Sequence, residues 1–511
     1  MTGTHADEHG GTAAALTEQI VRYRQVREVI ERSMLPLATS VDGHSFELQA
    51  SLHGLALARG SFVALESESG TRLGQVTDLE GHTDRGEIPG SSGAAPTTIL
   101  VRLARGAGEV LDTDGKPFHD ATVRPAEPGE LSAWLARTRP DRAQLTVGEM
   151  LSPAGVPAAL DSGGFNRHTF MCGQSGSGKT YSLGLLLERV LAQTRLRMVI
   201  LDPNSDYVGL GRVRDGADAA EAERYRAVTE QVTVWGNEAP ADQLLRLRFA
   251  ELTPQAQAAI LGLDPVADRE EYAALSDLLR GAADGGALLT GFDQLRTSTD
   301  VGVRRLGERA SNLGVLDWSV WSRAEHPSIL EEVRNPTSRC TVVDLGSLET
   351  VEEQHLVAEA VLSTLWATRA QREPCLVVID EAHNICAADP DDPVSRIATD
   401  RTVQIAAEGR KYGLYLLVST QRPNKVHENV VSQCDNLLMM RMNSHADLAD
   451  LGRLFSFVPA GLLAGAPSFR MGQVLVAGKI FPPGGYVQMG ARLSQEGGAD
   501  IPLAWASTHD G

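Results

Sequence analysis

The sequence MCGQSGSGKTYSLG, residues 171–184, places glycines and serines in front of a lysine and a threonine. It fits the pattern G-x-x-x-x-G-K-[ST] from Gly173 to Thr180. A backbone with few side chains can turn sharply and bring its N–H groups close to an anion. An apolar segment, Thr169 to Cys172, precedes the loop, and leucines at helical spacing follow it. A plain glycine-rich turn would have the same composition, but this context favours a phosphate-binding loop.

The phosphate-loop interpretation gives several of these residues a role. Lys179 is expected to reach the two terminal phosphates, and the Thr180 hydroxyl to coordinate Mg²⁺. The helix that follows should point its positive end at the same place. The predicted nucleotide-binding residues are consecutive: Gly173, Gln174, Ser175, Gly176, Ser177, Gly178, Lys179, Thr180 and Tyr181. The sequence therefore predicts binding of a nucleoside triphosphate.

Composition limits the class of protein. A chain of 511 residues is long enough for about two to four domains, and 42% hydrophobic residues suffice for real cores. The net charge of −19 argues against wrapping nucleic acid with the whole surface, but leaves room for a local basic channel.

Targeting signals and cysteine usage predict a location. No apolar run approaches the ~20 residues that span a bilayer, and the start does not resemble a signal peptide. Five cysteines without a C-x-x-C pair argue against a disulfide framework and against a zinc site. We expect a cytoplasmic protein with no membrane partner.

Strand and helix patterns divide the chain into four predicted segments. Residues 1–34 are expected to form a disordered start and a surface helix, and residues 491–511 a C-terminal tail. Short alternating stretches over residues 35–135 predict a small β-barrel. Residues 136–490 alternate buried strands with helices, which indicates an α/β domain with a mainly parallel sheet. The strand signal fades between residues 209 and 330, where we predict a helical insertion.

The stretch LVVIDEAH, residues 376–383, predicts the second half of an ATPase site. A buried strand would deliver Asp380 and Glu381 at its carboxyl end, the edge where α/β sheets bind ligands. Asp380 is expected to hold the Mg²⁺ and its water shell, and Glu381 to polarise the attacking water. His383 completes the letters D-E-A-H, but no second ATPase half is visible in the sequence, so we interpret it as a hydrogen-bonding turn residue.

The next predicted strand ends in VSTQRP, which places Gln421 at the same edge of the sheet. A glutamine at this position can sense the γ-phosphate or orient water, and simple capping of the strand is the less favoured alternative.

Five segments together resemble the HerA family of hexameric DNA-translocating ATPases, relatives of FtsK and of the conjugation ATPases. The segments are NRHTFMCGQSGSGKT, VILDPNSDY, VVIDEAHNI, AAEGRKYGLYLLVSTQRP and VVSQCDNLLMMRM, between Asn166 and Met442. The resemblance implies a RecA-like P-loop ATPase core that uses ATP and Mg²⁺, and GSFVALESESGTRLGQV resembles part of the HAS-barrel of the family. It also implies a homo-hexamer with double-stranded DNA in its central pore. A partner is implied too, either a NurA-like nuclease in DNA end processing or another effector in anti-phage defence.

Two arginines gain a possible role from the same resemblance. Arg167 matches an arginine that the family places near the nucleotide, and Arg410 matches the position from which a neighbouring subunit reaches the γ-phosphate. A surface ion pair is the alternative for each.

Three hypotheses remain open from the sequence. The first is an ATP-driven DNA translocase, the second a nucleotide-switched ring scaffold that activates a partner enzyme, and the third a protein- or conjugation-related motor. Basic residues facing a pore would favour translocation. The candidates are Arg296, Arg304, Arg305 and Arg309, and for these residues the interpretation as solvated helix charges is the favoured one.

Overall fold

The computed structural model describes residues 36–497 except 53–54, 89–96, 282–294 and 323–325, together with residues 17, 20–26 and 29. Most of the predicted N-terminal segment, and residues 498–511 of the predicted tail, lie outside this description. The chain forms two compact units. One comprises residues 1–139, 150–156 and 458–465, and the other residues 140–149, 157–457 and 466–511.

The first unit contains a closed barrel of six strands in the order β1-β2-β5-β4-β3-β6. The strands are β1 (Leu37–Ser40), β2 (Ser45–Ser51), β3 (Phe62–Ser67), β4 (Gly70–Ile88), β5 (Thr97–Val110) and β6 (Phe118–Pro125). Alternate residues of β2 are buried, so Phe46 and Leu48 pack inside with Val63 and Leu65 of β3. Helix α1 (Pro128–Thr138) follows β6. The predicted small β-barrel is therefore confirmed.

The second unit is built on one sheet of twelve strands in the order β12-β11-β13-β10-β14-β15-β9-β16-β17-β18-β7-β8. The strands are β7 (Gln144–Met150), β8 (Pro157–Asp161), β9 (His168–Cys172), β10 (Arg197–Asp202), β11 (Val232–Gly236), β12 (Gln243–Leu244), β13 (Cys340–Asp344), β14 (Cys375–Ile379), β15 (Leu414–Thr420), β16 (Cys434–Met439), β17 (Gln473–Gly478) and β18 (Gly485–Met489). All neighbours from β12 to β16 are parallel, and β16-β17-β18 and β7-β8 are antiparallel. The predicted α/β fold with a mainly parallel sheet is confirmed.

Helices connect the parallel strands. They are α2 (Lys179–Gln193), α3 (Ala219–Thr229), α4 (Pro254–Ile260), α5 (Arg269–Gly281), α6 (Val301–Asn312), α7 (Ile329–Arg334), α8 (Val351–Ala367), α9 (Pro393–Glu408), α10 (Glu428–Val431) and α11 (His445–Leu454), and α12 (Ala460–Leu463) belongs to the barrel unit. Helix α8 begins with a capping box in which Thr350 and Glu353 bond each other's backbone N–H. Among the residues described, none of these helices combines the length and apolar character that crossing a bilayer requires.

The segment predicted as a helical insertion, residues 209–330, is not exclusively helical. It contains α3 to α6, but also β11 and β12, which continue the sheet beyond β13. Strand β11 has the sequence VTVWG, whose Val, Thr and Trp residues are all common in strands, so local propensity agrees with its conformation. The strand was missed because it is short and lies between helices, and its pairing with β13 places it in the sheet.

The sheet order brings the predicted motifs to one edge. Strand β15 lies between β9 and β14, with Thr420 opposite Cys172 and Val418 opposite Ile379. Because these strands are parallel, their carboxyl ends point the same way. The segments that follow β9, β14 and β15 therefore meet at one edge of the sheet.

Candidate nucleotide site

The loop between β9 and α2 has the backbone geometry of a phosphate cradle. Gly176 and Gly178 adopt positive φ angles of 72° and 89°, which residues with a Cβ rarely adopt. The backbone N–H of Gln174 donates to the carbonyl of Arg441 at 3.0 Å, and this bond anchors the loop to the chain beyond β16. Helix α2 begins at Lys179, so the N–H groups of its first turn have no acceptor within the helix. The loop and the helix can therefore present N–H groups to an anion.

Lys179 is buried, with 4% of its surface exposed, and it contacts two carboxylates. Its Nζ lies 2.7 Å from Oδ1 of Asp380 and 3.1 Å from Oε1 of Glu381, and it donates to the Ser419 hydroxyl at 3.1 Å. Burial acts to lower the pKa of Lys179, but the charges of Asp380 and Glu381 outweigh it and raise the pKa above its usual value. The ammonium group is therefore fixed in its charged form at the end of β14.

Glu381 lies at the centre of a hydrogen-bonded group at this edge. The Gln421 amide donates to Oε1 of Glu381 at 2.8 Å, and Nδ1 of His383 lies 3.3 Å from Oε2. Nδ1 of His383 also lies 3.1 Å from the Thr420 hydroxyl, and burial lowers the pKa of His383. The backbone of Glu381 has a φ of 40°, an uncommon value for a residue with a side chain. Neighbours on two strands thus hold a carboxylate in a strained turn, as functional sites often do.

The loop after β10 supplies two residues that the sequence reasoning did not assign. Tyr207 is fully buried, and its hydroxyl donates to Oδ2 of Asp380 at 3.0 Å. Asp206 faces the same site, where burial and the charge of Asp380 raise the pKa of Asp206 to about 6. Both residues lie in VILDPNSDY, one of the segments that resemble the HerA family, but neither the resemblance nor the pattern gave them a role.

A cavity of about 680 Å³ opens beside the loop. Seven of the nine predicted nucleotide-binding residues line it: Gln174, Ser175, Gly176, Gly178, Lys179, Thr180 and Tyr181. Gln421 and Asp206 also line it. The turn before β17 and the end of β18 contribute Met471, Gly472, Gln488 and Met489, which the sequence did not indicate. A site of this size accommodates a ligand much larger than a phosphate ion.

The structure does not bring Arg167 or Arg410 to the phosphate loop of their own chain. Arg167 precedes β9, and Arg410 lies in the turn that precedes β15, so both are at the amino edge of the sheet. The five residues of β9 put this edge about 16 Å from the loop. Both arginines instead approach Oδ2 of Asp435, Arg410 at 2.8 Å and Arg167 at 3.6 Å.

Comparisons with known proteins agree with this geometry. A family model described as the central domain of the helicase HerA matches residues 145–306, which include the phosphate loop and β10. The chain is 22% identical over 386 residues to the DNA double-strand break repair helicase HerA of Saccharolobus solfataricus, and the alignment covers 72% of both chains. It is 30% identical over 107 residues to the HerA helicase of Sulfurisphaera tokodaii, which is 21% of each chain.

The chain is a P-loop ATPase whose sequence is similar to that of the HerA helicases. Among solved structures, VirB4 of Thermoanaerobacter pseudethanolicus aligns with a TM-score of 0.44 and 16% identity, over 69% of this chain and 98% of that one.

The oxygen donors of this HerA-type ATPase suit Mg²⁺. The Asp380 carboxylate at the end of β14 and the Thr180 hydroxyl in the first turn of α2 are hard ligands, and Mg²⁺ commonly takes one or two protein oxygens and completes its shell with phosphates and water. Within the described part of the chain, no cluster of three or more His, Cys, Asp or Glu side chains could hold a metal by itself. A magnesium ion here would therefore share its coordination with the phosphates of a nucleotide.

The arginines considered for a DNA-binding pore are mostly engaged within the HerA-type ATPase itself. Arg305 pairs with Glu270 at 3.2 Å, Arg309 pairs with Asp268 at 2.9 Å, and Arg304 donates to the carbonyl of Ser298. These contacts join α6 to the start of α5 and to the turns that precede the two helices. They leave little uncompensated positive charge on this helix.

Proposed function

We propose that this HerA-type ATPase is the subunit of a homo-hexameric ring that hydrolyses ATP with Mg²⁺ and moves double-stranded DNA through its central pore. One observation carries the proposal. Two arginines, Arg410 and Arg167, lie together at the sheet edge opposite the phosphate loop, where they cannot serve the nucleotide of their own chain. In the ring that we propose, the amino edge of one subunit faces the nucleotide of the next, a heterologous contact that closes on itself.

Each of the residues at the carboxyl edge of the sheet has its own role in phosphoryl transfer. Asp380 and Thr180 hold the Mg²⁺, which neutralises charge on the phosphates when it is bound. Lys179 moves from its carboxylate partners to the β- and γ-phosphates. Glu381 accepts the proton of the attacking water, and Gln421, which is hydrogen-bonded to Glu381, orients that water.

Arg410 completes this site from a neighbouring subunit. A guanidinium group supplied across an interface stabilises charge that develops on the γ-phosphoryl group, and removal of such a group costs ~10³–10⁵ in rate. Arg410 is 32% exposed and Arg167 43%, so both can reach a partner without unfolding of their surroundings.

DNA and a second protein are the proposed partners. Relatives that the chain matches carry names that describe helicases of DNA double-strand break repair. We infer that the ring works with a NurA-like nuclease or with another effector, in DNA end processing or in anti-phage defence, and that it acts in the cytoplasm.

A second candidate is a nucleotide-switched scaffold that assembles and activates its effector without processive movement. The ion pairs of Arg305 and Arg309 and the net charge of −19 favour the scaffold. Helix α6, which carries most of the arginines considered for the pore, has little free positive charge to offer DNA.

Two measurements test the proposal. Light scattering with ATP and Mg²⁺ should give the mass of six chains, each of 54.7 kDa. ATP hydrolysis at low salt should rise when double-stranded DNA is added, and DNA binding should weaken steeply with salt through counterion release. A hexamer whose hydrolysis is indifferent to DNA, and which binds no DNA at low salt, would favour the scaffold. A monomer at all concentrations would contradict both candidates. The Lys179→Ala variant is the control for contaminating ATPases.

A further inference from the structure

The cavity beside the phosphate loop extends well past the groups that would hold phosphates. Lys179 marks the position of the two terminal phosphates. Another part of the lining lies next to Gly178, where Gly472 and Met471 approach the phosphate loop, and we call this part of the cavity its rim.

This rim is formed by Met471, Gly472, Gln488 and Met489, from two antiparallel strands and the turn that precedes them. The turn is fixed to the phosphate loop, since the N–H of Gly472 donates to the carbonyl of Ser177 at 3.0 Å. The N–H of Met489 in turn donates to the carbonyl of Gly472 at 2.8 Å. The rim therefore keeps its position relative to the loop.

Met471 is the most unusual residue of this rim. Its side chain is 71% exposed although it is large and apolar, and its Cγ would lie 3.5 Å from a Cβ placed on Gly178. The exposed thioether thus stands directly beside the end of the phosphate loop. Methionine is flexible and polarisable, and it makes favourable contacts with aromatic rings.

Gln488 offers hydrogen-bonding groups next to this methionine. Its amide Nε2 would lie 2.8 Å from a Cβ placed on Gly472, so it packs against the glycine of the turn. Its side chain makes a weak hydrogen bond, 3.4 Å from Nε2 to the carbonyl of Met489, within the described part of the chain. The carboxamide can both donate and accept. Glu496 also lines the cavity, and its negative charge disfavours a phosphate group near it.

We propose that Met471 and Gln488 form the subsite for the nucleobase, with the ring packed on the Met471 thioether and its polar edge hydrogen-bonded to Gln488. This inference rests on the proposed nucleotide-binding function and adds the residues that recognise the base. An apolar wall with a single adaptable polar group is the usual chemistry of such a subsite.

Calorimetric titration with two ligands, MgATP and magnesium tripolyphosphate, tests the subsite because tripolyphosphate has the phosphates but no base. Met471→Ala should weaken ATP binding by about three- to ten-fold and leave tripolyphosphate binding within about two-fold of wild type. Gln488→Ala should do the same, by about two- to ten-fold for ATP. Met471→Leu keeps an apolar contact and should bind ATP nearly as wild type does. An Ala substitution at the exposed Val266, far along the chain in the insertion, is the matched control.

Each other outcome overturns the subsite. Unchanged ATP binding in both alanine variants would show that the base lies elsewhere. Equal losses for ATP and tripolyphosphate would show that these residues only shape the phosphate loop. A wild-type protein that binds neither ligand would refute the nucleotide-binding function itself, whereas a wild type that binds both equally would refute the subsite alone.

Discussion

Arg410 and Asp435 form an ion pair at the amino edge of the sheet, with Nη1 2.8 Å from Oδ2. The same carboxylate oxygen lies 3.6 Å from Nη1 of Arg167. One carboxylate from β16 therefore holds two arginines that come from the starts of β15 and β9. If the amino edge of the sheet contacts the nucleotide of a neighbouring subunit, both arginines lie beside that nucleotide.

The first prediction concerns Arg410. Arg410→Ala should bind ATP nearly as wild type does, because the residue lies at the edge opposite its own phosphate loop. Hydrolysis should fall by ~10³-fold or more, since charge on the γ-phosphoryl group loses its partner. Equilibrium binding of a fluorescent ATP analogue and steady-state phosphate release measure the two effects.

Mixed rings show whether Arg410 acts across an interface. Arg410→Ala subunits have intact phosphate loops, and Lys179→Ala subunits have intact arginines. Some interfaces in a mixed ring pair the phosphate loop of an Arg410→Ala subunit with the arginine of a Lys179→Ala subunit. These interfaces should hydrolyse ATP, although neither variant does so alone. Rings that are shown to contain both variants and recover nothing would assign Arg410 to its own chain or to structure.

The second prediction concerns Asp435. Asp435→Asn keeps the shape of the side chain but removes the charge that positions the two arginines. We expect hydrolysis to fall by about ten-fold with ATP binding unchanged, because a misplaced guanidinium group stabilises the transition state less well. Glu428→Gln breaks the exposed Glu428–Arg453 pair, also 2.8 Å long, and should leave hydrolysis unaltered. Equal rates for Asp435→Asn and wild type would show that the carboxylate does not position the arginines.

The third prediction concerns the negative charge of Glu381, which substitution by glutamine removes while the size of the side chain is kept. Glu381→Gln should retain ATP binding and lose hydrolysis by ~10²–10⁴-fold, because the variant has no base for the attacking water. Single-turnover assays with labelled ATP distinguish the loss of the chemical step from slow product release. Hydrolysis at the wild-type rate would transfer the role of base to another group.

The fourth prediction concerns the buried lysine. Lys179→Ala should abolish hydrolysis, and it should also lower the free energy of unfolding by about 3–5 kcal/mol, because Asp380 and Glu381 remain buried without their cation. Lys179→Ala/Asp380→Asn should recover part of the stability, measured by urea unfolding, without recovering activity. Loss of hydrolysis with unchanged stability in the single variant would contradict the importance of this ion cluster.

The fifth prediction concerns pH. Burial and the Asp380 charge raise the pKa of Asp206 to about 6 from its ordinary value of 3.8. Between these values the native protein binds more protons than the unfolded chain, so the stability contribution of Asp206 decreases as the pH rises through this window. The gain in stability from Asp206→Asn should therefore increase from pH 5 to pH 7 and then level off. A gain that is constant over this range, in urea unfolding of both proteins, would contradict the raised pKa.

The parts of the site that could be predicted from sequence are local. The phosphate loop, Asp380 with Glu381, and Gln421 each follow directly from a strand of continuous apolar residues, and parallel strands bring such ends together. The barrel was predictable for a similar reason, since alternation and turn residues mark its strands.

The parts that could not be predicted depend on distant pairing. The sequence analysis did not indicate β7, β8, β17 and β18. Strands β7 and β18 lack the continuous apolar run that marks the central strands, whereas β17 has such a run in VLVA and was overlooked. Met471 and Gln488 reach the loop only through those strands. Likewise, the pair of Arg410 and Asp435 requires β15, β9 and β16 to be neighbours, an order that neither residue type nor spacing specifies.

The sheet order also has a consequence for how the chain is made. The barrel strands are contiguous in sequence and can pair as soon as they leave the ribosome, but β9 acquires its neighbours β15 and β16 only much later. Ser419, which contacts Lys179, is 240 residues further along the chain, and at roughly 5–20 residues per second its synthesis takes more than ten seconds. During that time β9, the strand before the phosphate loop, has no neighbouring strand with which to pair. Nucleotide therefore cannot assist the early steps of folding, and it can stabilise only chains that are almost fully translated.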